Sequence, residues 1–222
     1  MPDENGVWRT ISGRRVFIKS GQSLTEAMRD SGKFEENQLK EPSKSDTIKP
    51  TNTKAVEEEL FVLRQFGEQT GNEHLTIMTD DGKVLGYNEG RHDTVSATPE
   101  LQRKINEAPV NSIVFAHNHP ENTGLSDDDV AILSHPSIKE IHAVGHDGKT
   151  YSMSVGSGKR PSSDEIKSAG RKLDKAVEAK LGQMIRDGKL TPMQATMLHA
   201  IEKGELFARL YGWKYERGKV DG

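Results

Sequence analysis

The sequence predicts an α/β protein, and three observations support this fold class. Apolar residues recur at helical spacing in AVEEELFVLRQFGEQTG, residues 55–71. Asp-Gly pairs at 81–82 and 147–148 each separate two strand-like segments, as the turn of a β-hairpin does. The short apolar run SIVFAHNH, residues 112–119, is typical of a buried strand, and we expect the central strand over 111–117. Helices that alternate with strands in this way indicate helices packed on a sheet.

Composition and turn signals divide the chain into four regions. Residues 1–33 are expected to form a small hairpin, with a Ser-Gly turn at 12–13, followed by a short helix. Residues 34–53 are polar and contain two prolines, so we expect a linker. Residues 54–156 form the predicted α/β domain, and 157–222 are expected to be a helical C-terminal region.

Capping residues mark where the predicted helices begin and end. Gly71 can end the first helix in a left-handed conformation. Thr98, which precedes a proline, and Ser126 are typical N-caps of the next two helices. Thr191 and Gln194 have the spacing of a capping box and predict the start of the last helix.

Composition excludes several classes of function. The net charge of −3 comes from 31 basic and 34 acidic residues that are well mixed along the chain, so neither nucleic acid nor membrane is an expected partner. The chain has no cysteine, which excludes disulfides and thiolate metal sites. The N-terminal MPDENGVWRT lacks the apolar core of a signal peptide, and no stretch has membrane-spanning length. We therefore expect a cytoplasmic protein.

Two histidines at the end of the predicted central strand indicate a metal site. His117 and His119 are two residues apart, so on an extended chain their imidazoles point to the same face. Zinc sites that carry out chemistry use three protein ligands and leave one position for water. Two nitrogens from this strand therefore require one more ligand from elsewhere in the domain.

The third ligand is expected from the helix that follows. If Ser126 is the N-cap, Asp127, Asp128 and Asp129 occupy the first three helical positions. Ser126 and Asp129 then form a capping-box-like pair that turns Asp129 back toward the strand end. We expect Asp129 to be the ligand, and Asp127 and Asp128 to be rotated away.

A hydrolytic metal site also needs a general base. Glu73 is the candidate because it begins the segment EHLTIMT, which we expect to lie beside the central strand. Glu89 and Glu100 are alternatives in the same domain. We interpret the remaining histidines as structural or solvated, although His142 could line the site; the group comprises His74, His92, His135, His142, His146 and His199.

The combination E…HNHP…SDDD resembles the metal motif of JAMM (MPN+) metalloproteases, and its wording is closest to that of the RadC-like branch. The resemblance implies a JAMM/cytidine-deaminase-like three-layer domain, in which a mixed sheet is flanked by helices. It further implies that His117, His119 and Asp129 hold Zn²⁺. Glu73 would deprotonate the attacking water and then protonate the leaving amine, and Ser126 would stabilise the oxyanion.

The resemblance extends over roughly half the chain, from about Val56 to Val155, through the order helix, hairpin, helix, strand, helix, hairpin. The family usually has seven residues between the second histidine and the serine, whereas this chain has six, PENTGL. The function implied is that of a zinc-dependent metallopeptidase or isopeptidase, and its substrate would be a protein or peptide.

A second resemblance points to a different class of function. GVWRTISGRRVFIKSGQSLTEAM resembles the segment before a JAMM-like domain in some phage head-morphogenesis (minor capsid) proteins. On this alternative the domain is a binding or structural module of a phage or prophage particle, with capsid or portal proteins as partners. A nuclease, suggested by the RadC-like wording, is disfavoured because the sequence has no basic patch.

Overall fold

The computed structural model describes the backbone of residues 6–11 and 14–19 and all of residues 50–220. The strands are β1 (Gly6–Ile11), β2 (Arg14–Lys19), β3 (His74–Thr79), β4 (Val84–Glu89), β5 (Ile113–His119), β6 (Ile138–Gly145), β7 (Lys149–Ser154) and β8 (Lys214–Lys219). The helices are α1 (Thr53–Thr70), α2 (Pro99–Glu107), α3 (Asp127–Ile132), α4 (Ser163–Arg186) and α5 (Pro192–Tyr211). The short helix expected before residue 33 and most of the expected linker lie outside these residues.

Six strands form one mixed sheet in the order β4-β3-β5-β6-β7-β8. β5 pairs antiparallel with β3 and parallel with β6, and every other pair in this sheet is antiparallel. β1 and β2 form a separate antiparallel hairpin. The expected α/β class, a mixed sheet with helices on its faces, is confirmed.

Each face of the sheet is covered by helices, and the alternation of β5 shows how. Val114 and Ala116 pack with the apolar face of α1. Ile113 and Phe115 point to the opposite face, into a core that also includes residues of α2, α3, α4 and α5. Because side chains alternate along a strand, the next two residues with the parity of Phe115 are the two histidines. Both lie on the face that α1 leaves free.

Most of the predicted boundaries are confirmed by the observed caps and turns. Gly71 ends α1 in the left-handed conformation, with φ 72°. Thr98 and Ser126 are the N-caps of α2 and α3, and their side chains accept from backbone N–H groups of the first turn. The Asp-Gly turns connect β3 with β4 and β6 with β7 as predicted. The hairpin of β1 and β2 is likewise where the sequence predicts it.

The central strand lies two residues later than predicted. We expected 111–117, whereas β5 runs over Ile113–His119. Asn111 has a positive φ of 54°, so it belongs to the preceding turn and not to an extended segment. At the other end the parallel pairing with β6 continues to His119, which is opposite Gly145. Both histidines are therefore held within the sheet.

The region predicted as a helical C-terminal extension also contributes a strand. β8 pairs with β7 and becomes the edge of the sheet. Its sequence, KYERGK, is almost entirely exposed and carries little apolar pattern. Buried Trp213 and Val220 flank it and fix its two ends on the core. None of the helices among residues 50–220 combines the length and apolar content needed to cross a bilayer.

Candidate metal centre

His117 and His119 lie side by side on the face of β5 opposite α1. Both are nearly inaccessible, with 3% and 6% of their surfaces exposed. Their Nε2 atoms are 2.8 Å apart, and the two rings meet edge to face. The strand geometry thus directs two imidazole nitrogens to one point, as the two-residue spacing predicts.

Asp129 approaches the same point from the start of α3. A capping box holds it, since Asp129 N–H donates to Ser126 Oγ at 3.1 Å and Ser126 N–H donates to Asp129 Oδ2 at 2.7 Å. Asp129 Oδ1 is 3.2 Å from His117 Nε2, and Oδ2 is 3.4 Å from His119 Nε2. The loop between His119 and Ser126 therefore brings Asp129 to the histidines with six residues.

The other two aspartates of the run pair with lysines of the C-terminal helices and not with the two histidines, as the capping geometry predicts. Asp127 pairs with Lys203 of α5 at 2.6 Å, and Lys203 also pairs with Asp174 of α4 at 2.5 Å. Asp128 pairs with Lys167 of α4 at 2.7 Å. The start of α3 is thus fixed by the C-terminal helices on one side and presents Asp129 on the other.

The approach of α4 to α3 is very close. A Cβ at position 170 would lie 2.1 Å from Asp127 Oδ2, so Gly170 is required by space and not by backbone conformation. Because Asp127 and Asp129 belong to the same helical turn, this contact helps to define where the Asp129 carboxylate lies.

The three side chains His117, His119 and Asp129 form a group that could hold a metal ion, with ligand atoms within 4.8 Å of one another. Atoms bound tetrahedrally to zinc at about 2.0–2.1 Å lie about 3.3 Å apart. The two imidazole nitrogens are 2.8 Å apart, and each lies 3.2–3.4 Å from a different oxygen of Asp129, so the group is close to this spacing. The donor set, two imidazoles and one carboxylate, is one that zinc accepts.

A backbone contact fixes the tautomer of His119. Its Nδ1 is 3.0 Å from the carbonyl oxygen of Thr123, which can only accept, so Nδ1 carries the proton and donates it. In the neutral ring the lone pair is then on Nε2, the atom that faces His117 and Asp129. Such hydrogen bonds are the usual way in which a protein orients an imidazole ligand.

In the metal-free protein the group holds a proton. Burial lowers the pKa of His119, but the hydrogen bond and charge of Asp129 outweigh this effect and raise the pKa to about 9. Burial likewise acts to raise the pKa of Asp129, but the charges and hydrogen bonds of His117 and His119 hold it well below its usual range. A cation is therefore favoured at this point, whether proton or metal.

Glu73 lies beside the group without belonging to it. It immediately precedes β3, whose Leu75 is opposite His117, so it is on the same face of the sheet. Burial raises the pKa of Glu73, an effect that His117 and His119 oppose and Asp129 reinforces. Among the described residues, the group that could hold a metal ion consists of His117, His119 and Asp129 and does not include Glu73.

Asn118, between the two histidines, fixes the backbone on either side of Glu73. Its Oδ1 accepts from His74 N–H at 2.7 Å, and its Nδ2 donates to the carbonyl of Asn72 at 3.0 Å. The amide is fully buried, and Gly67 makes room for it, since a Cβ there would be 2.1 Å from Asn118 Nδ2. One strand thus positions both the histidines and the carboxylate.

A cleft of about 580 Å³ opens onto the group and is lined by Glu73, Ser126 and the three side chains that could hold a metal ion. Ser126 Oγ accepts from Asp129 N–H, which leaves its own O–H free to donate. Sequence reasoning missed several polar residues of the wall, among them His92, Asp93 and Glu121. They come from loops with no hydrophobic period, so no pattern pointed to them.

The alternatives left open by the sequence lie elsewhere. Glu89 accepts from Asn72 Nδ2 at 3.0 Å, and Glu100 pairs with Lys104 on the surface of α2; neither lines the cleft. His142 is on the α1 side of the sheet and is 3.0 Å from Glu140.

The chain matches no protein-family model, no curated protein and no solved structure. The reasons for assigning a function are therefore the geometry and chemistry of the site.

Proposed function

We propose that the protein is a zinc-dependent hydrolase of amide bonds, a metallopeptidase or isopeptidase. His117, His119 and Asp129 would hold the zinc, Glu73 would act as the general base, and Ser126 would assist at the oxyanion.

One observation carries the proposal: three ligand atoms converge at the floor of an open cleft, and a second carboxylate, that of Glu73, lies beside them with a raised pKa. Structural zinc sites are normally closed by four protein ligands, whereas catalytic sites keep a position open. A purely structural ion would also have no need of Glu73. An open three-ligand group with a base beside it is the arrangement that hydrolysis requires.

When bound, zinc supplies Lewis-acid chemistry, which makes water acidic at neutral pH and polarises a carbonyl. The chain supplies the proton transfers. Glu73 would take a proton from the attacking water and deliver it to the departing amine, and a carboxylate pKa raised by burial would favour both steps. Ser126 can donate its hydroxyl proton to the oxygen on which negative charge develops.

The charge of the cleft favours an amide over a phosphodiester. Among the described residues that line it, none is a lysine or an arginine, and five are carboxylates: Glu73, Asp93, Glu121, Asp128 and Asp129. Apart from a metal ion, phosphate groups bind in proteins largely through lysine and arginine side chains, which these walls lack. A peptide or isopeptide bond carries no charge and avoids this repulsion, so a nuclease is the weaker hypothesis.

The finer assignment of the fold is part of the same proposal. The order helix, hairpin, helix, strand, helix, hairpin around the metal-holding group supports a JAMM-type domain with JAMM/cytidine-deaminase-like architecture. The strand and the capped helix supply the ligands in the order of the JAMM motif, and Glu73 precedes them.

A test compares Glu73→Gln with two matched cleft variants, Asp93→Asn and Glu121→Gln, in the full chain. Zinc content is measured by elemental analysis, and new termini from unfolded casein and from a synthetic lysine isopeptide are measured by mass spectrometry. All variants should bind one zinc, as the wild type should. Glu73→Gln should hydrolyse at least about 100-fold more slowly, because it keeps its shape but not its basicity. The other two should stay within a few fold of the wild type.

Two results would contradict the proposal. If the wild-type protein, purified without chelator, holds no transition metal, the site is not a metal centre. If the zinc-loaded wild type and Glu73→Gln hydrolyse the substrates at the same rate, Glu73 is not the general base. The second result would favour the rival, an assembly module of a phage head in which any metal is structural.

A further inference from the structure

We propose that the cleft contains a subsite for one uncharged, apolar side chain of the substrate, next to the bond that is cleaved. This inference rests on the proposed function and names the class of substrate: amides flanked by an aliphatic or aromatic residue.

The floor of the subsite begins where the metal-holding group ends. Phe115 is two residues before His117 on the same face of β5, and Leu75 of β3 is opposite His117. Both line the cleft, although only 5% and 2% of their surfaces are exposed. On α3, Ala131 and Ile132 follow Asp129 and line the cleft as well. The polar end of the cleft therefore passes directly into an apolar one.

The opposite wall comes from α2 and from the loop that leads to it. Val95 and Ala97, both half-buried, lie in this loop, and Ile105 of α2 completes the wall. The loop is held against Glu73, since Glu73 N–H donates to the carbonyl of Arg91 and Gly90 N–H donates to that of Glu73. The apolar wall and the proposed base are thus parts of one hydrogen-bonded unit.

The far end of the cleft is closed by polar groups that are already satisfied. His135 Nε2 is 3.1 Å from Asn106 Oδ1, and its Nδ1 is 2.8 Å from Ser137 Oγ. Burial and the charge of Arg160 lower the pKa of His135, so it is neutral at pH 7. None of the described residues that line the cleft is a lysine or an arginine, so a substrate carboxylate would meet no cation on its walls, whereas an apolar side chain would meet apolar walls on three sides.

The experiment uses the zinc-loaded full chain and three N-acetyl amino-acid hydroxamates, those of glycine, leucine and glutamate. The hydroxamate binds the metal, so the side chain reports on the adjacent wall. Calorimetry should give the leucine compound an affinity at least about 10-fold higher than that of the glycine compound, the effect of burying one leucine side chain. The glutamate compound should bind no better than the glycine compound.

Ala97→Phe should fill the subsite and abolish the preference for leucine over glycine, while zinc content is unchanged. Ala179→Phe, at an exposed position of α4, is the matched control and should keep the preference. Val95→Asp is a second variant, which should reduce the preference by introducing charge into the same wall.

Each outcome decides the question. If the wild type binds no zinc, the proposed function and this inference both fall. If zinc binds but the leucine and glycine compounds have affinities within about twofold of each other, the proposed subsite is wrong, while the proposed metal centre is supported. If the preference survives both Ala97→Phe and Val95→Asp, the apolar contact is elsewhere and the inference is wrong.

Discussion

Two clusters of buried polar side chains lie back to back across β3 and β5. On the α1 face, His74 is bonded at both ring nitrogens, to Thr70 Oγ1 at 2.6 Å and to the Tyr87 hydroxyl, and Phe66 covers its ring. On the other face, the Nε2 atoms of His117 and His119 face each other and a single carboxylate, at the floor of a cleft. In the first cluster both ring nitrogens of the histidine have hydrogen-bond partners from the surrounding core, whereas in the second the ligand atoms of three side chains lie within 4.8 Å of one another beside a cleft.

This difference separates a structural histidine from a candidate ligand. All three histidines are at most 6% exposed and come from adjacent strands, so neither burial nor residue type distinguishes them. The distinction is what lies above each ring: helix α1 above His74, and an open cleft above the pair on β5. If this distinction holds, substitutions in one cluster should mainly affect metal binding and substitutions in the other should mainly affect stability.

The largest effect is expected from His117→Ala. Removal of one of three ligands should lower zinc affinity by more than about 100-fold, because even the loss of an outer hydrogen bond to a ligand costs 10- to 100-fold. Zinc binding is measured by competition with a chromogenic chelator. His74→Ala should leave zinc affinity within a few fold of the wild type; a loss as large as that of His117→Ala would contradict the division of roles.

Zinc affinity should rise steeply with pH. In the metal-free protein His119 has a pKa of about 9, so at lower pH a metal must displace its proton. Apparent affinity should therefore increase about tenfold per pH unit, or about 100-fold between pH 6 and pH 8. The same competition assay in buffers of equal ionic strength measures this slope.

The raised pKa of His119 also determines the direction in which the stability of the metal-free protein changes with pH. The charged form of His119 stabilises the metal-free fold fully below pH 6.5, and this contribution is lost as pH rises toward 9. NMR titration of the His119 ring should show the raised pKa in the metal-free wild type and a lower one in Asp129→Asn, which lacks the stabilising charge. If the pKa of His119 is unchanged in that variant, Asp129 is not the cause of its elevation.

For the stability of the metal-free protein, His74→Ala should have a larger effect than His117→Ala. His74→Ala should lower the free energy of unfolding by about 2–4 kcal/mol, because it removes the hydrogen bonds of His74 to Thr70 and Tyr87 and opens a buried cavity. His117→Ala in the metal-free protein should cost less, since Asp129 keeps its bonds to Ser126 and His119. Urea unfolding of both variants without metal makes the comparison, and equal losses would refute it.

The smallest effect is expected from Asn118→Ala, at the boundary between the clusters. Zinc should still bind, while hydrolysis should fall by about tenfold, because the segment that carries Glu73 loses both of its hydrogen bonds to Asn118. The acidic limb of the pH–rate profile should move with the environment of Glu73, which a general loss of stability would not cause. An unmoved limb would mean that Asn118 only supports the fold.

The sequence was most informative where local geometry determines position. Asp129 could be selected from three adjacent aspartates because an N-cap serine turns the third helical residue back, and the capping box is present in the structure. The two histidines could be placed on one face because strand side chains alternate. These two inferences need only backbone geometry, which residues close in sequence share.

Features that depend on distant contacts could not be predicted. Asp93 reaches the cleft because its loop is hydrogen-bonded to Glu73, and no pattern within the loop indicates that contact. β8 is too polar to be recognised as a strand, because it is held by backbone pairing and by its buried ends. The start of β5 was misplaced because the left-handed conformation of Asn111 is permitted by its residue type but not required by it.

The contact of α4 with α3 has a consequence for how substitutions would act on this protein. Any side chain at position 170 would press against the Asp127 carboxylate, and the loss of Lys203 would leave Asp127 and Asp174 facing each other without their shared cation. Either change would disturb the turn that presents Asp129. A screen of random variants for weakened metal binding should therefore recover positions on α4 and α5, far along the chain from every ligand.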